Sequence, residues 1–151
     1  MTLYFAYGSN MDPVQMAVRC PTSRALGTAS LGDHRLTFVR DSPAWGGGVG
    51  SIEPAQGEVV WGVLWELAPE DEAALDAYES VEAQVYRKAK AFVETPDGPV
   101  EVMLYVVVDP QPKSPSARYL RALIRGAASF GVPEEYVEQL RARSELPPGA
   151  R

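Results

Sequence analysis

The sequence predicts an α+β fold in a small single domain, a mixed sheet curled into a β-barrel with flanking helices. Three observations carry that expectation. Strand-like segments crowd the first part of the chain and amphipathic helical patterns its end, an order that suits α+β architecture. Asp97-Gly98 separates two runs of apolar, strand-forming residues, the pattern of a hairpin. The length, 151 residues with 46% hydrophobic content, is that of one domain with a proper core. Residues 1–144 are assigned to that domain and 145–151 to a frayed tail.

Taken in order, residues 3 to 7 read as a strand, apolar and aromatic, that stops at Gly8-Ser9-Asn10. A short helix follows from about 13 to 18, with Asp12 as N-cap, Pro13 at its first position and Gln15 as capping-box partner; Pro21 closes it. Residues 26–31 and 35–40 look like two strands joined by a turn at Gly32-Asp33, and 41–45 like a loop. Val59 to Glu66 is apolar on both faces and predicts a central strand. Pro69 and the acids at 70–72 start a helix with Leu75 and Tyr78 on its inner edge, ending near Glu79.

The hairpin strands cover 85–94 and 99–108. In the second, Val100, Val102, Leu104, Val106 and Val108 share one face, while Glu101, Met103, Tyr105 and Val107 share the other. The Pro-rich piece 110–115 links to a helix in which Tyr119, Leu120, Leu123, Ile124 and Ala127 recur at helical spacing, before Gly131 ends it. Pro133-Glu134-Glu135 opens a last helix with Tyr136, Val137 and Leu140 facing inward.

Composition narrows the function. Twenty acidic against 14 basic residues give a net charge of −6 with no basic cluster, which argues against nucleic acid and anionic membranes as partners. No apolar stretch approaches the roughly 20 residues of a transmembrane helix, and no signal-peptide pattern opens the chain, so the expected location is cytoplasmic. One cysteine, Cys20, and one histidine, His34, leave no internal disulfide and no soft-metal cluster to expect. Cys20, beside Pro21, reads as a small buried hydrophobe.

Nucleophile elbow, Walker loop, dinucleotide fingerprint and spaced Cys/His pairs are all absent from the sequence. What remains is the opening loop and the carboxylates. Gly8-Ser9-Asn10 lies between a strand and a helix start, where a glycine admits a ligand to the backbone and free N–H groups meet the positive end of a helix dipole. Such a loop is either a plain β-to-α turn or a cradle for a carboxylate or oxyanion. The acids at 70–72 and Glu134 and Glu135 open helices and compensate dipoles. Glu79 differs: it stands at a helix C-terminus, between Tyr78 and Val81, where the dipole disfavours a carboxylate. It either points to solvent or is held in a pocket with a raised pKa, as a general acid or base requires.

Four stretches together resemble the gamma-glutamylcyclotransferase family: Tyr4-Phe5-Ala6-Tyr7-Gly8-Ser9-Asn10-Met11, Glu58 to Trp65, Leu75 to Val81 with Tyr86 seven residues beyond Glu79, and Ser114-Pro115-Ser116 through Tyr136. They run in order to about residue 142. The resemblance implies a gamma-glutamylcyclotransferase-like domain, no cofactor, a small gamma-glutamyl substrate and release of 5-oxoproline by acyl transfer within the substrate, a cyclising reaction of lyase or transferase type. It leaves room for a homodimer. By the same resemblance Glu79 matches the family's catalytic glutamate, Tyr7, Gly8, Ser9 and Asn10 its substrate-binding loop, and Tyr86 and Tyr105 its pocket-lining tyrosines. The Ser9-Asn10 pair is similar to the branch that acts on gamma-glutamyl amino acids. Two departures bear on the pocket wall: Ser80 replaces a frequent glycine, and Gly46 stands where some members carry histidine.

That chemistry agrees with the missing nucleophile, because the substrate's own amine attacks its γ-carbonyl. Two other readings remain: a catalytically silent binder of gamma-glutamyl or other small anionic metabolites, and a partner-binding domain using the edge of the 85–108 hairpin. Against the latter, Lys88, Lys90, Glu94 and Glu101 resemble edge protection. Should Glu79 not be the base, Glu82 is the next acid in line.

Overall fold

The computed structural model describes residues 1–145. Its strands are β1 (Thr2–Ala6), β2 (Arg24–Ser42), β3 (Gly47–Leu67), β4 (Tyr86–Thr95) and β5 (Gly98–Val107), and its helices α1 (Pro13–Arg19), α2 (Pro69–Tyr78), α3 (Ala117–Ser129) and α4 (Glu134–Glu145). The strands form a closed barrel in the order β1-β3-β2-β4-β5. All neighbours are antiparallel except β1 and β5, whose parallel contact is the Tyr4–Met103 pair. The sheet is therefore mixed and curled, as the order of elements predicted. No helix among the described residues is long and apolar enough to cross a membrane.

Alternation along each strand sorts the core into two layers. Phe5, Leu31, Val60, Leu64, Val93, Val102 and Leu104 meet inside the barrel. Tyr4, Ala6, Val63, Trp65, Met103, Tyr105 and Val107 point outward beneath the helices, where they join Met16, Leu75, Leu120, Leu123 and Val137. The two faces of β5 are those the sequence assigns, except that Val108 lies past the strand end and is exposed.

Several expectations need correction. The pieces at 26–31 and 35–40 belong to one strand: Gly32-Asp33 is a break in register within it, with Asp33 at φ 57°, because β3 pairs on both sides, Val59 with Gly32 and Pro54 with His34, and carries the extra residues between them. The segment 59–66 is likewise only the last part of the 21-residue β3. The loop at 41–45 shrinks to the short connection between these two strands. Tyr78 is not on the inner edge of α2; it is 53% exposed, while Leu75 is fully buried. Asp12 caps α1 by accepting from Val14 N at 3.1 Å, but Gln15 does not complete a capping box and reaches instead toward Ser9 and Asn10. The 85–108 hairpin is built into the barrel, β4 pairing with β2 at Ser30–Glu94 and β5 with β1 at Tyr4–Met103. The tail assigned to 145–151 lies almost wholly outside the described residues.

One contact fixes the segment after β1. The short 3-10 turn Ser9–Met11 and the start of α1 are covered by α3, which approaches at Gly126. A Cβ there would fall 2.4 Å from the Met11 carbonyl carbon and 2.6 Å from Asp12 N. The neighbouring Arg125 donates through Nε to Asp12 Oδ2 at 3.1 Å, so a charge pair on a buried carboxylate locks the same junction. Alanine normally favours a helix over glycine by about 1 kcal/mol. Here Gly126→Ala should instead destabilise by roughly 1–3 kcal/mol, because backbone rather than a flexible side chain obstructs the methyl. Denaturant unfolding checks this, and an unchanged or raised midpoint would contradict it.

Candidate active site

Gly8 precedes the 3-10 turn two residues past β1, and its missing side chain makes room for Tyr119: a Cβ there would lie 2.8 Å from the Tyr119 hydroxyl. That hydroxyl accepts from Gly50 N at 2.8 Å and lies against the Ser9 amide, tying α3 to both the loop and β3. The turn's own hydrogen bonds use the N–H groups of Met11 and Asp12, which donate to Gly8 O and Ser9 O at 3.0 Å each. The N–H groups of Gly8 and Asn10 stand outside that pattern, as at any helix start.

Above the loop opens a cleft of about 240 Å³ lined by Tyr7, Gly8, Ser9, Asn10, Glu79, Tyr86 and Tyr105, together with Tyr4, Arg19, Ser80, Tyr119 and the tip of the β2–β3 hairpin. All seven residues singled out from the sequence thus face one space. Drug-sized pockets run from roughly 300 to 1,000 Å³, so this one suits a small metabolite.

Asn10 organises the inner end. It is 3% exposed, and its Oδ1 accepts from Gln15 Nε2 at 2.8 Å and Arg19 Nη1 at 3.1 Å. Two donors on one oxygen fix the amide's direction, and its Nδ2 is thereby turned toward the Tyr4 hydroxyl at 3.0 Å and Glu79 Oε1 at 3.3 Å. Gln15 and Arg19, one helical turn apart on α1, share this task. Gln15 Nε2 also donates to Ser9 Oγ at 2.8 Å.

Glu79 caps the C-terminus of α2, its N–H donating to Leu75 O at 2.8 Å. The next residue, Ser80, has φ 50°, the left-handed conformation that ends helices and that glycine adopts most readily. The backbone explains why glycine suits that position, and it turns the chain so that Glu79 enters the cleft. Gly46, in contrast, does not line the cleft; it turns the hairpin at φ 76°.

Burial pushes the Glu79 carboxyl up from 4.5 to about 7, against the opposing pull of the Arg19 charge and the Asn10 hydrogen bond. The residue retains some exposure to the cleft, but the carboxyl itself is crowded by protein atoms. Burial likewise raises the hydroxyls of Tyr4, Tyr7, Tyr86 and Tyr119 well above their ordinary range, so they remain protonated donors. Tyr105 is raised first by burial and then by its bond to Asp76 Oδ1 at 2.7 Å; Asp76 in turn pairs with Lys88 at 2.9 Å. Its ring lines the cleft while its hydroxyl is engaged behind it. Tyr86 donates to Gly50 O at 3.4 Å.

The arrangement can hold an anion on loop amides and move a proton near neutrality through Glu79. Among the described residues no group of three or more His, Cys, Asp or Glu is placed to hold a metal ion. Sequence reasoning missed Arg19, Gln15, Tyr4 and Tyr119. The spacing of Gln15 and Arg19 on α1 was a usable signal, whereas Tyr119 is indistinguishable from core along its helix.

Comparison with known proteins follows the same line. The AIG2-like family matches residues 59–140. The gamma-glutamylcyclotransferases of Mus musculus and Homo sapiens are 33% and 32% identical over 145 residues, covering 93% of this chain and 77% of each relative. A solved structure of a gamma-glutamyl cyclotransferase superposes with a TM-score of 0.90 at 30% identity, covering 99% of this chain and 90% of that one. Fold, loop and sequence therefore agree that the chain belongs to the gamma-glutamylcyclotransferase family.

Proposed function

We propose that this protein releases 5-oxoproline from gamma-glutamyl amino acids or amides. The observation that carries the reading is the convergence of the Glu79 carboxyl and the Tyr7 to Asn10 loop on one small cleft. In such a substrate the α-amine attacks the γ-carbonyl: the new C–N bond closes a five-membered ring and the old amide C–N bond breaks. The amine arrives as an ammonium and is unreactive until it loses a proton. Glu79 takes that proton and returns one to the departing amine, which a carboxyl titrating at about 7 can do in both directions.

The remaining work is positioning. Folding the substrate into its ring-closing conformer is worth up to roughly 7–11 kcal/mol. N–H groups of the Gly8 to Asn10 loop bind the glutamyl carboxylate or the developing oxyanion, each oxyanion donor contributing about 3 kcal/mol. Tyr86 and Tyr105 wall the ring. Soluble cytoplasmic action without a metal or organic cofactor is consistent with this route, since proton transfer and orientation suffice for it.

Incubation with gamma-glutamyl dipeptides, glutathione and gamma-glutamyl-lysine, assayed for 5-oxoproline, tests the activity. Binding without any 5-oxoproline would move the silent-binder reading ahead. Glu79→Gln should lower turnover by at least about 100-fold, because the isosteric amide cannot accept the ammonium proton; near-wild-type release would end the assignment of Glu79 as the base, and Glu82, exposed and outside the cleft lining, does not take its place.

The same variant should gain stability. The unfolded carboxyl titrates near 4.5 and the folded one at about 7, so as pH rises between them the fold retains a proton that the unfolded chain loses. Wild-type stability therefore falls across that window, by on the order of 3 kcal/mol, and Glu79→Gln escapes the fall. At about pH 8 the variant should melt higher than wild type, and an equal or lower melting point would refute the buried-carboxyl account.

Cys20 plays no part in this chemistry. It is 1% exposed, donates to Asp71 O at 3.6 Å and lies outside the cleft. Burial, aided by the Asp71 charge, pushes its thiol up to about 11, far from a reactive thiolate. Cys20→Ser should retain turnover, and loss of kcat in the folded variant would contradict this.

A further inference from the structure

The outer end of the cleft is built by the tip of the β2–β3 hairpin, where Arg40 and Trp45 line the space opposite the loop amides. Arg40 sits at a break in the pairing between Val39 and Asp41, with φ 58°, a conformation that a residue with a side chain adopts only when its surroundings impose it. Those surroundings are visible. Arg40 N donates to Gln111 O at 2.8 Å, Lys113 N to Phe38 O at 3.1 Å and Gly48 N to Ser114 O at 2.9 Å, so the 111–114 segment is stitched along the hairpin. Gly48 permits that approach: a Cβ there would meet Lys113 O at 1.9 Å. Trp45 is held edge-on to Tyr119 with centroids 5.1 Å apart, and the Arg118 guanidinium lies 4.6 Å over its ring while donating to Ala44 O.

The two arginines that line the cleft differ in what they do. Arg19 donates to Asn10 Oδ1 and lies 4.5 Å over the Tyr78 ring. The Arg40 guanidinium takes no hydrogen bond and no ion pair among the described residues, and Asp41, which lines the same rim, is not paired with it. The backbone of Arg40 is held by Gln111, and its exposed guanidinium, with its fork unused, is suited to a bidentate carboxylate. The same cleft that holds the loop amides also includes this rim, which gives the half that leaves a place to sit.

From this placement we infer that Arg40, with Trp45 beside it, forms the subsite for the leaving half of the substrate and recognises its α-carboxylate. The inference rests on the cyclotransferase reading and names the residue that selects gamma-glutamyl amino acids over gamma-glutamyl amines.

Gamma-glutamylalanine and gamma-glutamylethylamine differ only by that carboxylate. The wild-type protein should prefer the first by about 10-fold or more in kcat/KM. In Arg40→Gln the preference should collapse toward unity, through a raised KM for gamma-glutamylalanine. Arg40→Gly, which suits the left-handed backbone and removes the guanidinium, should lose the preference equally, separating recognition from any disturbance of the turn. A preference that persists in both variants, or a glycine variant that regains it, would overturn the subsite. Wild-type protein that releases 5-oxoproline from other gamma-glutamyl substrates but from neither of these compounds would overturn the subsite alone, and one that releases it from no gamma-glutamyl substrate would overturn the cyclotransferase reading, and the inference with it.

Discussion

Helix α3 rests on the backbone of Met11 and Asp12 at Gly126, and the geometry of the cleft follows from that contact. With α3 seated there, Tyr119 reaches Gly50 and the loop between β1 and α1, so helix, loop and barrel are pinned through one phenol. The turn then presents Asn10 inward, where α1 returns Gln15 and Arg19 to its carbonyl oxygen. A barrel closed by single bridges at β1–β5 and β2–β4 would not position a loop by itself. The helices packed on its outer face do so.

The electrostatics of the site are a contest that burial wins. Arg19 and the Asn10 amide both favour an ionised Glu79, yet the carboxyl still titrates at about 7. Arg19 is bound to the Asn10 oxygen, which directs the amide toward Glu79 and leaves the cation to act on the carboxyl through space. A direct ion pair would hold the glutamate ionised and unfit to return a proton. The intervening asparagine orients the carboxyl without that consequence.

Local signals in the sequence were sufficient for part of this. Asp12-Pro13 placed the start of α1, Pro69 and its acids placed α2 with its end at Glu79, and Asp97-Gly98 placed the β4–β5 turn. Each depends on neighbours a few positions away. Where the outcome depends on distant partners, the sequence misled or was silent. Gly32-Asp33 has the composition of a turn, but β3 pairs on both sides of it and makes it a break in register within one strand. Glu79 admitted two readings because its burial is set by α1, the opening loop and the tyrosines of β4 and β5, none of them adjacent in sequence. Arg40 and Trp45 fell in or beside a segment without periodicity, and only the hairpin's pairing and the 111–114 strap put them at the cleft mouth.

Everything proposed for the cleft requires that Glu79 be held where its proton is mobile near neutrality, and its own titration reads this without intermediaries. Carbon-13 labelling of glutamate side chains, with the Glu79 carboxyl assigned by comparison with Glu79→Gln, reports that value without reference to any substrate. A buried Glu79 should show a midpoint at about 7, while a midpoint near the ordinary 4.5 would mean that its carboxyl is solvated and ionised at neutrality.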